Sequence, residues 1–262
     1  MSATAILELK NVHKNFGGVK AINDFSCSLE RGKVHGLIGP NGAGKTTIFN
    51  NITGIYAPTE GEIVFLGKNI AGKKPHAIAQ AGIGRTFQNI RLFSNLSVLD
   101  NVIMANIADA KYNLIDAILR TPKYRRVEKQ MHDFAMSLLE SVGIAHLRDH
   151  TAKNLPYGNQ RKLEIARALA VRPKLLLLDE PSSGMNKDES LELVDFVAQV
   201  KEDFDLTILL IEHHMDVVTG LCDLVTVLNF GKTIATGTPA EIKKNKAVIE
   251  AYLGGSHTDA ES

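Results

Sequence analysis

The stretch Gly39-Pro40-Asn41-Gly42-Ala43-Gly44-Lys45-Thr46-Thr47 constrains this chain more than any other. It matches G-x-x-x-x-G-K-[ST], a loop whose backbone N–H groups curl around a phosphate. The apolar run Val34 to Ile38 precedes it, and the helix-compatible run Thr46 to Ile52 follows. A strand, a glycine-rich loop and a helix in that order are the setting the motif requires. The start of that helix adds unpaired N–H groups and the positive end of its dipole. There Lys45 can reach the β- and γ-phosphates of a nucleotide, and the Thr46 hydroxyl can ligate Mg²⁺. The bland alternative is a chance glycine-rich turn, and the flanks argue against it.

The 262 residues are enough for one large domain or two lobes. A net charge of +1 gives no broad footprint for nucleic acid. Cys27 and Cys222 are far apart and have no metal-type neighbours, so they read as idle thiols in a reducing compartment. The start, Met1 to Ile6, lacks the basic and apolar regions of a signal peptide. No stretch nears the ~18 apolar residues of a membrane span. A cytoplasmic protein, able to sit on a membrane partner, is expected.

Strand-like alternation covers Ile6 to Val12 and Ala21 to Leu29, with the turn Asn15-Phe16-Gly17-Gly18 between. Glu62 to Leu66 reads as a short antiparallel strand, Pro75 to Gln80 as a short helix, and Gly84 to Gln88 as a strand ending in an amide. From Leu92 to about Leu147 apolar residues recur at helical spacing, which predicts an inserted helical subdomain. Its basic residues around Lys123, Arg125 and Arg126 read as a solvated face. Buried strands are predicted at Leu175–Leu178, Leu206–Ile211 and Leu224–Leu228, with a helix at Glu189–Lys201. Thr238-Pro239-Ala240-Glu241 predicts a capped helix start. Strands alternating with helices imply an α/β fold with a mainly parallel sheet.

Leu175 to Leu178 leads into Asp179-Glu180-Pro181. Carboxylates at a strand end face the crevice where α/β sheets hold ligands. Asp179 can hold Mg²⁺ there, and Glu180 can act as general base toward water. The alternative, a helix cap after a strand, weakens downstream of a phosphate loop. Gln88 can ligand the metal or position water, against the plain reading of a surface glutamine. His213, after Ile211-Glu212, can bond a γ-phosphate, but His214 beside it leaves the choice open on chemistry alone.

The phosphate loop, Gln88, Leu155-Pro156-Tyr157-Gly158-Asn159-Gln160, Leu175 to Glu180 and Glu212-His213 fall in one order over essentially the whole chain. That series resembles the ATP-binding cassette (ABC) transporter ATPases. The resemblance implies a phosphate-loop nucleoside triphosphatase core of RecA type, with mixed sheet, antiparallel β subdomain and inserted α-helical subdomain. It places the core at about 1–91 and 160–255, the helical subdomain at about 92–159 and a polar tail at 256–262. Phe16 matches the aromatic that stacks on adenine, Gly39 to Thr47 the nucleotide loop, and Gln88 the glutamine that contacts metal and senses the permease. Asp179 and Glu180 match the metal carboxylate and catalytic glutamate, His213 the switch histidine, and Asn186 the end of the loop at the dimer interface.

Three departures stand out. Pro156, Tyr157 and Asn159 replace the serine, first glycine and glutamine of the usual Leu-Ser-Gly-Gly-Gln, so the Tyr157-Gly158-Asn159 loop offers the partner no serine hydroxyl. Asn186 and His214 stand where aspartate is usual. These departures, the insert Asp109 to Arg126 and the closing Val248-Ile249-Glu250-Ala251-Tyr252-Leu253-Gly254 look like the branched-chain amino acid importer branch. The resemblance then implies ATP as substrate with Mg²⁺, a second ATPase subunit, identical or homologous, and two transmembrane permease subunits. It further implies a periplasmic amino-acid-binding protein, no nucleic acid, and a peripheral place on the cytoplasmic face of the inner membrane. Asn89 to Phe93 is the candidate coupling surface. The alternatives are a urea/amide importer, a lipopolysaccharide exporter, a non-transport ABC ATPase, or a subunit that binds ATP without turnover.

Overall fold

The computed structural model describes residues 5–107 and 112–254. The predicted tail at 256–262, and the part of the insert at 109–111, lie outside the described residues. The chain forms two compact units, 1–85 with 174–262, and 86–173. The expected helical span 92–159 lies inside the second unit, which also takes in residues 86–91 and 160–173 that the sequence reading assigned to the core.

The first unit carries two sheets. One is antiparallel in the order β2 (Val19–Glu30), β1 (Ala5–Phe16), β4 (Glu60–Phe65), β5 (Lys68–Asn69). The other has six strands in the order β10 (Lys232–Gly237), β9 (Leu224–Asn229), β3 (Val34–Ile38), β8 (Thr207–Ile211), β7 (Leu175–Asp179), β6 (Ile83–Arg85). All neighbours in it are parallel except the edge hairpin β9–β10. This is the α/β architecture with a mixed and an antiparallel sheet that the sequence implied.

β3, β7 and β8 are buried at every position. Unbroken apolar runs rather than alternation mark such central parallel strands. Register sets Leu37 beside Ile211, and Asp179 beside Ile211 on the far side of β8. The C-terminal ends of β3, β8 and β7 therefore lie in one row. One core cluster joins both sheets, with Phe25, Phe49, Phe65, Leu177 and Leu209 among its members. α1 (Lys45–Ile52) contributes Ile48, Phe49 and Ile52 to that core. α2 is Pro75–Ala81, α7 Lys187–Asp203, α8 Met215–Leu221, α9 Pro239–Lys244 and α10 Lys246–Gly254. Thr238 caps α9 in a capping box with Glu241, and Pro239 opens the helix, as the sequence predicts.

The second unit is helical: α3 (Val98–Ala105), α4 (Leu114–Ile118), α5 (Pro122–Ser141) and α6 (Tyr157–Leu169). Val98, Val102, Met131, Leu138, Leu139 and Leu163 are buried in it. Helical periodicity misplaces its start. Leu92 to Leu96 is irregular, and α3 begins only where the Ser97 hydroxyl accepts the Asp100 N–H. β6 likewise stops at Arg85, so Gln88 follows in a bend and not on the strand.

An imidazole sits buried inside the large sheet. His35 on β3 is 4% exposed, and its Nε2 lies 2.8 Å from Thr226 Oγ1 and 3.7 Å from Cys27 Sγ. Burial pushes this imidazole down to about 4 from an ordinary 6.5. The unfolded chain therefore takes up the proton at a higher pH than the folded one. His35 costs no stability above pH 6.5, and its penalty grows as pH falls from 6.5 to about 4. Over that window the loss amounts to roughly 3 kcal/mol. Comparing urea midpoints at pH 7 and pH 5 should show a drop that His35→Gln shrinks. An unchanged drop would remove His35 as its cause. The thiols are pushed the other way by burial, Cys27 to about 11 and Cys222 to about 12, so both stay neutral near pH 7.

Candidate functional site

The loop between β3 and α1 approaches its neighbours too closely for side chains. A Cβ on Gly39 would lie 2.1 Å from the Leu228 carbonyl oxygen, and Gly39 has φ 151°. One on Gly44, at φ 106°, would lie 2.7 Å from both Ala21 O and Ile22 Cδ1. Glycine at these positions thus lets the loop tuck against β2 and β9. The Ala43 carbonyl accepts the Gly231 N–H at 2.9 Å, tying the loop to the β9–β10 turn. Pro40 O accepts the Ala43 N–H at 3.2 Å. Asn41 and Gly42 are exposed at the tip, Thr46 is exposed and Thr47 half-buried on the first turn of α1. Gly44 caps α1 without a side chain, which leaves first-turn N–H groups for an anion.

Lys45 is buried, and its Nζ donates to Gly39 O at 2.7 Å and Pro40 O at 2.9 Å. Burial lowers its pKa, while the charges of Glu180 and Asp179 act to raise it. Loop lysine and strand-end acids therefore share one electrostatic neighbourhood.

Asp179 closes β7 at 3% exposure. Its Oδ2 accepts from Arg85 Nη2 at 2.9 Å. Burial raises the Asp179 pKa, and Arg85 opposes the shift. Arg85 Nη1 also donates to Asn50 Oδ1 at 2.7 Å and Thr53 Oγ1 at 3.1 Å, so strand end and α1 are held together. Glu180 turns the chain into the left-handed region, φ 47°, which non-glycine residues rarely adopt and functional sites often do. Its N–H donates to Ile211 O at 2.9 Å. Its Oε1 lies 2.6 Å from His213 Nε2, across the ends of neighbouring strands β7 and β8. His213 thus meets the glutamate, while His214 turns to Ser182, which separates two neighbours that residue chemistry left equivalent.

Thr46 and Asp179 offer a hydroxyl and a carboxylate. An all-oxygen donor set with few protein ligands suits a hard divalent cation that keeps water and phosphate as its other partners. Among the described residues no cluster of three or more His, Cys, Asp or Glu that could hold a metal ion is present.

Phe16 ends β1 at 41% exposure, edge-on to Tyr56 with centroids 5.1 Å apart. Lys14 Nζ lies 4.9 Å from the Phe16 ring. An exposed aromatic pair of this kind offers ring surface to a planar base. Asn186 caps α7: its Oδ1 accepts the Glu189 N–H at 3.0 Å, and Glu189 Oε2 accepts the Asn186 N–H at 2.9 Å.

Gln88, Tyr157, Gly158 and Asn159 belong to the helical unit. Pro156 is the N-cap of α6 and gives no side-chain bond to the first turn. Tyr157 and Gly158 are exposed, and Asn159 is half-buried. Arg161, one turn on, is fully buried. It pairs with Glu164 at 2.6 Å and donates to Phe87 O at 3.0 Å and Gln88 O at 3.4 Å. Glu164 Oε1 in turn accepts the Phe87 N–H at 3.0 Å. The stretch entering Gln88 is therefore fixed to α6 from both sides.

Sequence reasoning gave no site role to Arg85, Tyr56, Arg161 with Glu164, or Tyr252, which it quoted only within the closing stretch and whose phenol is raised by burial and bonded to the Gly39 backbone. A charged residue inside an otherwise apolar strand or helix face was the available signal for Arg85 and Arg161. Tyr56 and Tyr252 carry none.

A phosphate-binding loop after β3 and a paired-acid strand end on β7, with β8 between them in one mixed sheet and an antiparallel sheet in the same unit, define a nucleotide-binding cassette. The model of the ABC transporter family matches residues 22–183, and that of the branched-chain amino acid ATP-binding cassette transporters matches 232–258. The chain is 42% identical to the high-affinity branched-chain amino acid transport ATP-binding protein LivG of Salmonella typhimurium, over 95% of this chain and 98% of that protein. It is 41% identical to the corresponding protein BraF of Pseudomonas aeruginosa, with the same coverage. A nucleotide-free ATP-binding cassette from an ABC transporter superposes with TM-score 0.84 at 32% identity, covering 95% of this chain and 99% of that one. An ADP-bound cassette of an ABC transporter gives the same TM-score and identity. The chain belongs to the ABC transporter family.

Proposed function

We propose that this protein is the ATP-hydrolysing subunit of a high-affinity branched-chain amino acid importer. The observation that carries the reading is that Lys45, at the start of the helix after β3, shares its electrostatic neighbourhood with Asp179 and Glu180 at the end of β7, and that Glu180 meets His213 just past β8. The names of the LivG and BraF relatives support the substrate class.

The phosphates of ATP are received by the loop amides from Gly39 to Thr47, with the first turn of α1 adding its dipole. Lys45 leaves the Gly39 and Pro40 carbonyls for phosphate oxygens. A divalent cation held by Thr46 and Asp179 would neutralise charge on the phosphates. Glu180 accepts the proton of the attacking water, and His213 holds that carboxylate from the neighbouring strand. Phe16, with Tyr56, offers the ring face to adenine. Two cassettes, identical or homologous, pair so that each phosphate loop faces the α6 start of the other, where Tyr157, Gly158 and Asn159 lie. Gln88 and the following Asn89 to Phe93 face two permease subunits on the cytoplasmic side of the inner membrane, and a periplasmic binding protein delivers the amino acid.

The test is reconstitution of the chain with a second cassette and its two permeases in proteoliposomes. ATP-dependent leucine uptake supports the reading. Uptake of urea, export of lipid, or turnover with no movement of leucine, isoleucine or valine replaces it.

A further inference from the structure

A further acid, Glu212, lies beside the site. It directly follows β8, at 1% exposure, and directly precedes His213. Buried carboxylates are costly unless their oxygens are satisfied. Here both are. Oε1 accepts from Ser182 N–H at 2.9 Å and from Ser182 Oγ at 2.6 Å. Oε2 accepts from His213 N–H at 2.9 Å and His214 N–H at 3.2 Å. The Ser182 hydroxyl has one proton, and it goes to Glu212. Its Oγ therefore accepts from His214 Nδ1, 2.7 Å away.

The two oxygens of one side chain thus clamp two loops. Ser182 belongs to the loop that leaves Glu180, and His213 and His214 to the loop that leaves β8. The Glu180–His213 pair spans the same gap a few residues away, at 2.6 Å. Neither loop has regular structure to fix it, and Glu180 is held at a positive φ. We propose that Glu212 is a positioning residue for hydrolysis: it locks the loop after Glu180 to the loop carrying His213, and so sets the His213–Glu180 contact. His214 extends the same lattice through Ser182. The proposal rests on the reading of Glu180 and His213 given above.

Glu212→Gln keeps shape and volume but has one acceptor oxygen in place of two. Its NH₂ must face either the Ser182 donors or the His213 and His214 amides, so half the lattice is broken. In the assembled transporter its kcat for ATP is expected to fall by about 10–100-fold, the cost of losing orientation at a reacting centre. Nucleotide affinity, read by titration with a non-hydrolysable ATP analogue, should stay within about twofold, because the phosphate loop is held by other bonds. Ser182→Ala should lower kcat by a smaller factor, and Ser182→Thr, which keeps the hydroxyl, should recover most of it. Imidazole NMR signals of His213 in the folded chain should move in Glu212→Gln, whether or not the chain turns over ATP. That last measurement separates the two claims: a wild-type assembly without ATPase activity ends the functional reading, while an unmoved His213 signal ends this one. A wild-type kcat in Glu212→Gln, or an equal loss of affinity and kcat, likewise overturns it. If Glu212→Gln does not fold, the Ser182 pair decides: no difference between Ala and Thr refutes the clamp.

Discussion

Glu180→Gln is expected to cut ATP turnover of the assembled transporter by about 10²–10³-fold and to leave nucleotide binding nearly intact. The carboxylate sits half-buried at the end of β7, on a residue at φ 47°, with His213 Nε2 2.6 Å from its Oε1. That backbone turn is costly and is maintained because the Glu180 N–H bonds to Ile211 O and the next loop is pinned to Glu212. The side chain therefore points where the fold directs it, and an amide of the same shape will occupy the same place. What the amide lacks is the ability to take a proton from water. Steady-state phosphate release gives kcat, and equilibrium binding of a fluorescent ATP analogue gives affinity. Turnover at the wild-type rate would remove Glu180 from the chemistry. Loss of binding in parallel with turnover would mean that the change disturbed the loop and not the proton transfer.

The second large effect falls on binding. Lys45→Ala should weaken ATP by more than about 10²-fold, since two or three charge-assisted bonds to phosphate are worth about 1.5–3 kcal/mol each. Without nucleotide, the ammonium is parked on Gly39 O and Pro40 O, so it exchanges two carbonyl bonds for phosphate bonds. The net gain is the difference between the two sets, and the anion wins because its charge is complementary. The loop itself should survive the substitution. Its shape rests on the close approaches at Gly39 and Gly44 and on the Ala43–Gly231 bond, none of which uses the lysine side chain. Calorimetric titration with ATP, beside a thermal melt, tests both halves. An affinity within threefold of wild type would refute the role given to Lys45.

The groups that sequence reading located are those whose chemistry is local. The phosphate loop, the Leu175–Asp179 strand with Glu180, and the Thr238–Glu241 cap each occupy one short stretch whose residue pattern is legible by itself, although of the three only the cap is closed by its own near neighbours. Boundaries suffered where local pattern is ambiguous. Apolar residues at helical spacing begin at Leu92, but the chain turns helical only at Val98, because Asn101 bonds the Phe93 N–H and carbonyl and holds the preceding stretch as a loop. Choosing between His213 and His214 also failed locally. Adjacent residues diverge here because one meets Glu180, the first residue past β7, and the other meets Ser182, two residues further into the same loop.

From its sequence alone this chain was committed to a nucleotide loop on a parallel sheet, to two acids at a strand end, and to membership of one family. Those properties follow from spacing within a few residues, which fixes backbone conformation and which groups share a face. Tertiary structure alone decided that Arg85 would neutralise Asp179 from 94 residues away, that Glu164 would hold Phe87 across 77, and that Glu212 would reach Ser182 across 30. A buried charge takes whatever partner the packing of separate strands and helices brings within hydrogen-bonding distance, and no periodicity in the chain encodes that meeting.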